Sequence, residues 1–149
     1  MLYRFIIILV FLNLILFENA LSEKAYVGSQ KCQSCHETEY SNYKKYSQKA
    51  KSYKSVEKMK SKLKLSEYQG CLKCHTTGYG KGGFISIEKT PHLKDAGCES
   101  CHGPGSTHIE SEDPDDIKGK LDVKDCMDCH NKERVEGFKF KPMIYGGAH

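Results

Sequence analysis

Apolar side chains become scarce once the first 22 residues are set aside. Of the 127 that follow, 40 belong to the hydrophobic set, and eight of those are cysteines. That leaves about a quarter of the segment, against the roughly 45–50% apolar content, glycine included, that offsets chain entropy in an ordinary domain. A self-packed globule is therefore excluded, and something other than side chains has to fill the interior. No cysteine precedes Cys32, which argues against a lipid-modified N-terminus. The chain also lacks an apolar run long enough to cross a bilayer: Phe5 to Phe17, broken only by Asn13, is 13 residues, where about 20 are needed. A length of 149 residues fits one domain and argues against a multidomain enzyme.

Arg4 stands ahead of that apolar run, and Glu18, Asn19 and the small-residue pattern Ala20-Leu21-Ser22 follow it. These are the three regions of a secretory signal. The expectation is a signal peptide over 1–22, cleaved near Ser22, and one exported domain over 23–149. Such a domain would be soluble and periplasmic, with no membrane span once the signal is removed.

The eight cysteines form four pairs of one spacing, each followed at once by histidine: Cys32/Cys35/His36, Cys71/Cys74/His75, Cys98/Cys101/His102 and Cys126/Cys129/His130. Two thiols three positions apart can each add to one vinyl group of a haem, while the adjoining imidazole is brought beneath the iron. A disulfide framework or zinc knuckles would also use paired cysteines, but neither requires histidine directly after the second cysteine in all four cases. The pattern therefore reads as four covalently bound c-type haems. The intervals between pairs are uneven, so this is motif repetition and not a solenoid of equal repeats. Four macrocycles supply the apolar surface that the side chains lack. The expected fold is mainly α: a small multihaem cytochrome c, with short helices and loops wrapped around its haems, largely disordered without them.

Between Glu37 and about Leu65, apolar residues recur at steps of three or four, at Tyr40, Tyr43, Tyr46, Ala50, Tyr53, Val56, Met59 and Leu63. This predicts one long helix, the longest in the protein. Its other face carries Lys44, Lys45, Lys51, Lys54, Lys58, Lys60, Lys62 and Lys64, with Glu57 the only nearby acid. That is either a solvated face or a docking surface for an acidic redox partner; nucleic acid does not fit an exported haem protein. Lys49 alone falls on the apolar face. Thr76 to Gly83 is a glycine-rich turn that would let backbone approach a flat cofactor closely, and Phe84 to Ile87 reads as a short strand. Gly103-Pro104-Gly105 should end any helix there, and an acidic loop with Glu110, Glu112, Asp113, Asp115 and Asp116 follows.

Outside the motifs only His92, His108 and His149 remain, three imidazoles for the far faces of four irons. His108 is six residues beyond His102, a reach of at most about 20 Å when fully extended. Passing around the ring edge to the far face of the same haem would use most of it, so His108 is better placed for a neighbouring haem.

The stretches from Cys71 to Phe84, from Gly97 to Gly105, and from Phe138-Lys139-Phe140 to His149 resemble the cytochrome c-554 family of tetrahaem cytochromes. The likeness runs over essentially the whole mature chain; its specific parts are the glycine-rich turn and the Gly97–Gly105 block. The resemblance implies a mainly helical protein, haems packed in close pairs, and electron passage in the periplasm. It implies three bis-histidine haems and a five-coordinate second one, with His108 as the sixth ligand of the first and His149 of the third. The family's remaining ligand lies in a Thr/Ser-x-His-Ala pattern, which here reads Ser47-Gln48-Lys49-Ala50. Three outcomes stay open for the fourth haem: a neutral Lys49 amine ligates iron, His92 substitutes, or the position is vacant. Lys49 could equally lay its stem along haem and send its head to a propionate or solvent.

The leading reading is an electron carrier between a donor dehydrogenase and an acceptor, needing no catalytic side chain. Bis-histidine ligation would set lower potentials than Met/His ligation does. The alternative is a reductase of nitric oxide or nitrite at an open iron; no proton-donor constellation for it is identifiable. The formal charge of +4 says little about partners, because four ferric haems with two propionates each contribute roughly −4.

Overall fold

The computed structural model describes residues 24–131. The expected signal peptide over 1–22, the C-terminal stretch from Phe138 and His149 lie outside the described residues. Within them the chain is helical, as the composition and motif pattern implied, and it contains no strand. Six short α-helices are joined by 3-10 turns and loops: α1 (Glu37–Tyr46), α2 (Ser52–Met59), α3 (Leu65–His75), α4 (Glu99–His102), α5 (Ser106–Ser111) and α6 (Val123–Met127).

The single helix expected from Glu37 to about Leu65 is instead broken. Ser47 is extended (φ −81°, ψ 127°), Lys51 leaves the helical region (φ −136°, ψ 18°), and Leu63 is again extended. The cause is side-chain competition for the backbone. Ser47 Oγ accepts the Lys49 N–H at 3.3 Å, while Ser52 Oγ shares its one proton between the carbonyls of Lys49 (2.8 Å) and His75 (2.9 Å) and accepts the Ala96 N–H at 2.9 Å. The intervening 3-10 turn Gln48–Lys51 keeps the stripe in phase, so Tyr43, Ala50, Tyr53 and Val56 are all buried, whereas Tyr46 and Met59 are exposed. Among the described residues the longest helix is α3, and it ends in the second Cys-x-x-Cys-His motif.

The buried cluster is small: Tyr53, Val56, Leu72, Phe84 and Leu93, flanked by Tyr26, Tyr68, Cys71, Tyr79 and Ile87. It sits between α2, α3 and the loop after the second motif. Phe84 to Ile87 is not a strand. The Phe84 N–H donates to Thr77 O (2.8 Å) and the Ile85 N–H to Thr90 Oγ1 (2.8 Å), which are the bonds of consecutive turns. At Gly78 (φ +68°) the glycine-rich turn admits the Tyr26 ring, from which a Cβ would lie 2.6 Å. Helix α4 stops at Gly103 (φ +82°), as the Gly-Pro-Gly sequence requires.

Candidate haem-binding site

Each Cys-x-x-Cys-His motif is wound as one helical turn. The histidine N–H donates to the carbonyl of the first cysteine in the first motif (His36 to Cys32, 2.9 Å), the third (His102 to Cys98, 3.0 Å) and the fourth (His130 to Cys126, 2.8 Å). The second motif forms the C-terminal end of α3. A helical turn sets positions i, i+3 and i+4 on one face, so two thiols and an imidazole stand together without help from the rest of the chain. No two of the eight cysteines are joined in a disulfide. Among the described residues no three His, Cys, Asp or Glu side chains converge to hold a metal ion by themselves.

The fold brings the motifs together out of sequence order. The Cys32 thiol is pushed far up, first by its hydrogen bond with Cys98 and then by burial, and the same bond pulls Cys98 down. Burial, followed by a hydrogen bond with Cys74, raises Cys129. Cys101 is raised chiefly by burial, with Cys126 among the charges acting on it. The first motif meets the third, where the Cys98 N–H donates to Ser29 Oγ at 3.0 Å, and the second meets the fourth, where Cys74 Sγ lies 3.9 Å from Asp128 O.

Three imidazoles are aimed by backbone carbonyls. His75 Nδ1 lies 3.0 Å from Ser52 O, His102 Nδ1 2.6 Å from Lys118 O, and His108 Nδ1 2.8 Å from Asp113 O. A carbonyl can only accept, so each Nδ1 carries the proton and each Nε2 presents its lone pair. The partner of His108 comes from the left-handed residue Glu112 (φ +58°), which ends α5 and swings Asp113 back beneath the ring. The ring centroids of His36 and His108 are 6.3 Å apart with planes at 30°. Two metal–nitrogen bonds of about 2 Å plus two ring radii of about 1 Å come to about 6 Å, so this pair fits the two faces of one iron.

Lys49 is half-buried, and its charge acts on Cys101, Cys126 and His130. The His130 imidazole is shifted down, chiefly by burial and then by Lys49. Lys49 thus faces the third and fourth motifs. His92 is exposed and packs against the backbone of Gly28, where a Cβ would meet its ring at 3.1 Å, beside the first motif.

Two residues that motif reading passed over hold these parts together. Glu99, inside the third motif, is 2% exposed and accepts backbone N–H groups from Val27, Gly28 and Gly105. Thr77 donates to Asp95 O and accepts from Gly97 N–H, joining the second motif to the third. Both lie within the Cys71–Phe84 and Gly97–Gly105 blocks that carry the family resemblance, the one signal that marked them.

Residues 31–103 match the family model for cytochrome c554 and c-prime. Over 100 residues the chain is 32% identical to cytochrome c-554 of Nitrosomonas europaea, covering 59% of this chain and 42% of that protein. Over 103 residues it is 30% identical to the multihaem cytochrome MtrC of Shewanella baltica, covering 54% and 16%. The chain thus spans less than half the length of these curated relatives. The solved reduced state of cytochrome c554 from Nitrosomonas europaea matches with a TM-score of 0.50 at 30% identity, over 80% of this chain and 71% of that one. With a helical fold shared over that range, and two thiols and an imidazole on each of its motif turns, the chain belongs to the cytochrome c554 family and carries covalently attached c-type haem.

Proposed function

We propose that the protein is a periplasmic tetrahaem electron carrier, exported by a signal peptide over 1–22 and working between a donor dehydrogenase and an electron acceptor. The observation that carries this reading is the His36/His108 pair, separated as one iron requires, together with motif turns paired thiol to thiol. Bound haem supplies reversible one-electron exchange at iron.

Cys32 and Cys35, Cys71 and Cys74, Cys98 and Cys101, and Cys126 and Cys129 would anchor the four groups; His36, His75, His102 and His130 would each bind an iron. His108 would add a ligand to the first, His149 to the third and Lys49 to the fourth. For Lys49, which would ligate as the neutral amine, the support is its nearness to Cys126 and His130 and the location of His92 beside the first motif. The carbonyls of Ser52, Lys118 and Asp113 fix the rings they face, so these ligands need not reorganise when the charge on iron changes. Pairing of the first motif with the third, and of the second with the fourth, sets the cofactors' attachment points side by side for passage through the molecule. The exposed lysines of Lys51–Lys64 steer an acidic redox partner. No helix among the described residues is long and apolar enough to cross a membrane.

Haem content decides the count. Pyridine haemochrome absorbance against peptide concentration should give four haems per chain, and three or fewer overturns the tetrahaem assignment. Low-temperature electron paramagnetic resonance of Lys49→Met should show the loss of one low-spin signal; an unchanged spectrum excludes Lys49 as a ligand.

A further inference from the structure

Glu99 is charged, stands between two haem-attaching cysteines, and is nonetheless buried. A carboxylate is removed from water only when its lone pairs are met. Its oxygens accept three backbone donors: Val27 N–H at 2.9 Å and Gly105 N–H at 2.8 Å on Oε1, and Gly28 N–H at 2.7 Å on Oε2. The donors come from two separate segments. Val27-Gly28 leads directly into the 3-10 turn Ser29–Ser34, which carries Cys32 and runs on to His36. Gly105 caps the start of α5, which carries His108 three residues later.

We propose that Glu99 is the positioning residue of the first iron: one carboxylate ties the segment bearing His36 to the helix bearing His108 and so sets the spacing between their imidazoles. This deepens the reading in which those two rings share an iron, and rests on it. Two further bonds lie along the same seam: Ala25 N–H donates to Ser106 Oγ (2.8 Å) and Ser106 N–H to Ala25 O (3.2 Å). Neither reaches the Val27-Gly28 corner from which the first motif departs. Helix α5 is short, so a displacement at Gly105 is carried to His108 almost undiminished, while metal–ligand bonds tolerate only about 0.2 Å. The fit is close on the Gly105 side, where a Cβ would already meet Glu99 Oε1 at 3.2 Å.

An amide cannot replace the carboxylate. In Glu99→Gln one oxygen becomes an NH2 group, which meets at least one backbone donor with another donor. The negative charge is lost as well, and that charge favours the more positive oxidised iron nearby.

The test uses purified holoprotein with Glu99→Gln, Glu99→Asp and His108→Met, read by low-temperature electron paramagnetic resonance and spectroelectrochemical titration. His108→Met identifies the signal of the first haem by its change. Glu99→Gln is expected to shift the g-values of that same signal and raise its potential, with haem content unchanged. Glu99→Asp, whose shorter arm draws the two segments together, is expected to shift the g-values with a smaller change in potential. If His108→Met leaves every low-spin signal as it was, the shared-iron reading itself falls and takes this proposal with it. If His108→Met removes a signal while both Glu99 variants keep that signal's g-values and potential, the shared-iron reading stands and the positioning role is overturned. Lower unfolding stability of the Glu99 variants with an unchanged spectrum likewise overturns the positioning role.

Discussion

Replacing Thr77 by valine keeps the side-chain shape and removes only the hydroxyl. Thr77 is 2% exposed. Its Oγ1 donates to Asp95 O at 2.6 Å, accepts the Gly97 N–H at 2.9 Å, and receives the Ser100 hydroxyl at 3.4 Å. Its backbone bonds, to Leu93 O (2.9 Å) and from the Phe84 N–H (2.8 Å), are untouched by the substitution. Three losses follow, of unequal size. The buried Gly97 N–H is left without an acceptor, which costs about 1–3 kcal/mol. The Asp95 carbonyl is half-buried and loses one donor, about 0.5–1.5 kcal/mol. Ser100 is exposed, so its hydroxyl turns to water at almost no cost. We expect Thr77→Val to destabilise the holoprotein by about 1.5–4.5 kcal/mol. The assay is guanidinium unfolding followed by far-ultraviolet circular dichroism and by Soret absorbance, with coincident transitions as the condition for extracting a free energy. Covalent attachment keeps each cofactor on the chain in both states, so the midpoint is free of the concentration dependence of a dissociable ligand. Ser100→Ala serves as the control and should stay within about 0.5 kcal/mol. A Thr77→Val protein as stable as wild type refutes the view that this hydroxyl couples the second and third motifs.

Burial raises the Asp95 carboxyl, against the opposing hydrogen bond from the Tyr53 N–H and the nearby charges of Lys94 and Lys44. A folded-state pKa above the unfolded one means that the native protein binds this proton more tightly, so stability falls as pH rises through that window. Asp95→Asn, which keeps an oxygen acceptor for Tyr53, should raise the unfolding midpoint near pH 7 and lose that advantage near pH 3, below the ordinary aspartate range; equal midpoints at neutral pH would count against it. For the lysine face, Lys54→Glu combined with Lys58→Glu should slow reduction by an acidic redox partner about ten-fold at low ionic strength, with the difference vanishing in high salt. Stopped-flow rates insensitive to both charge and salt would remove the docking role. Gly78→Ala should cost about 1–3 kcal/mol, because φ is +68° and the new methyl meets the Tyr26 ring; adding Tyr26→Ala should relieve the collision and leave the backbone strain, as thermal melts would show.

Sequence by itself determined what is local. Four Cys-x-x-Cys-His turns were legible because a single helical turn sets i, i+3 and i+4 on one face, whatever surrounds it. The break at Gly103 was legible for the same reason, since the conformation belongs to the residue. A shortage of apolar residues likewise pointed to an interior not made of side chains. Tertiary structure decided everything that depends on segments distant in the chain. The long helix expected after the first motif breaks because Ser52 is held by His75 and Ala96, 23 and 44 residues away, bonds that no local periodicity can reveal. Which motif meets which, first with third and second with fourth, follows from packing and runs against chain order. His36 and His108 are 72 residues apart in sequence, yet their ring centroids lie 6.3 Å apart. Glu99 looks like a solvent-facing charge inside a short motif until the fold supplies three backbone donors around it. The attachment of a haem is a property of five consecutive residues; any further ligand to its iron is a property of the whole chain, because that ligand has to arrive from elsewhere.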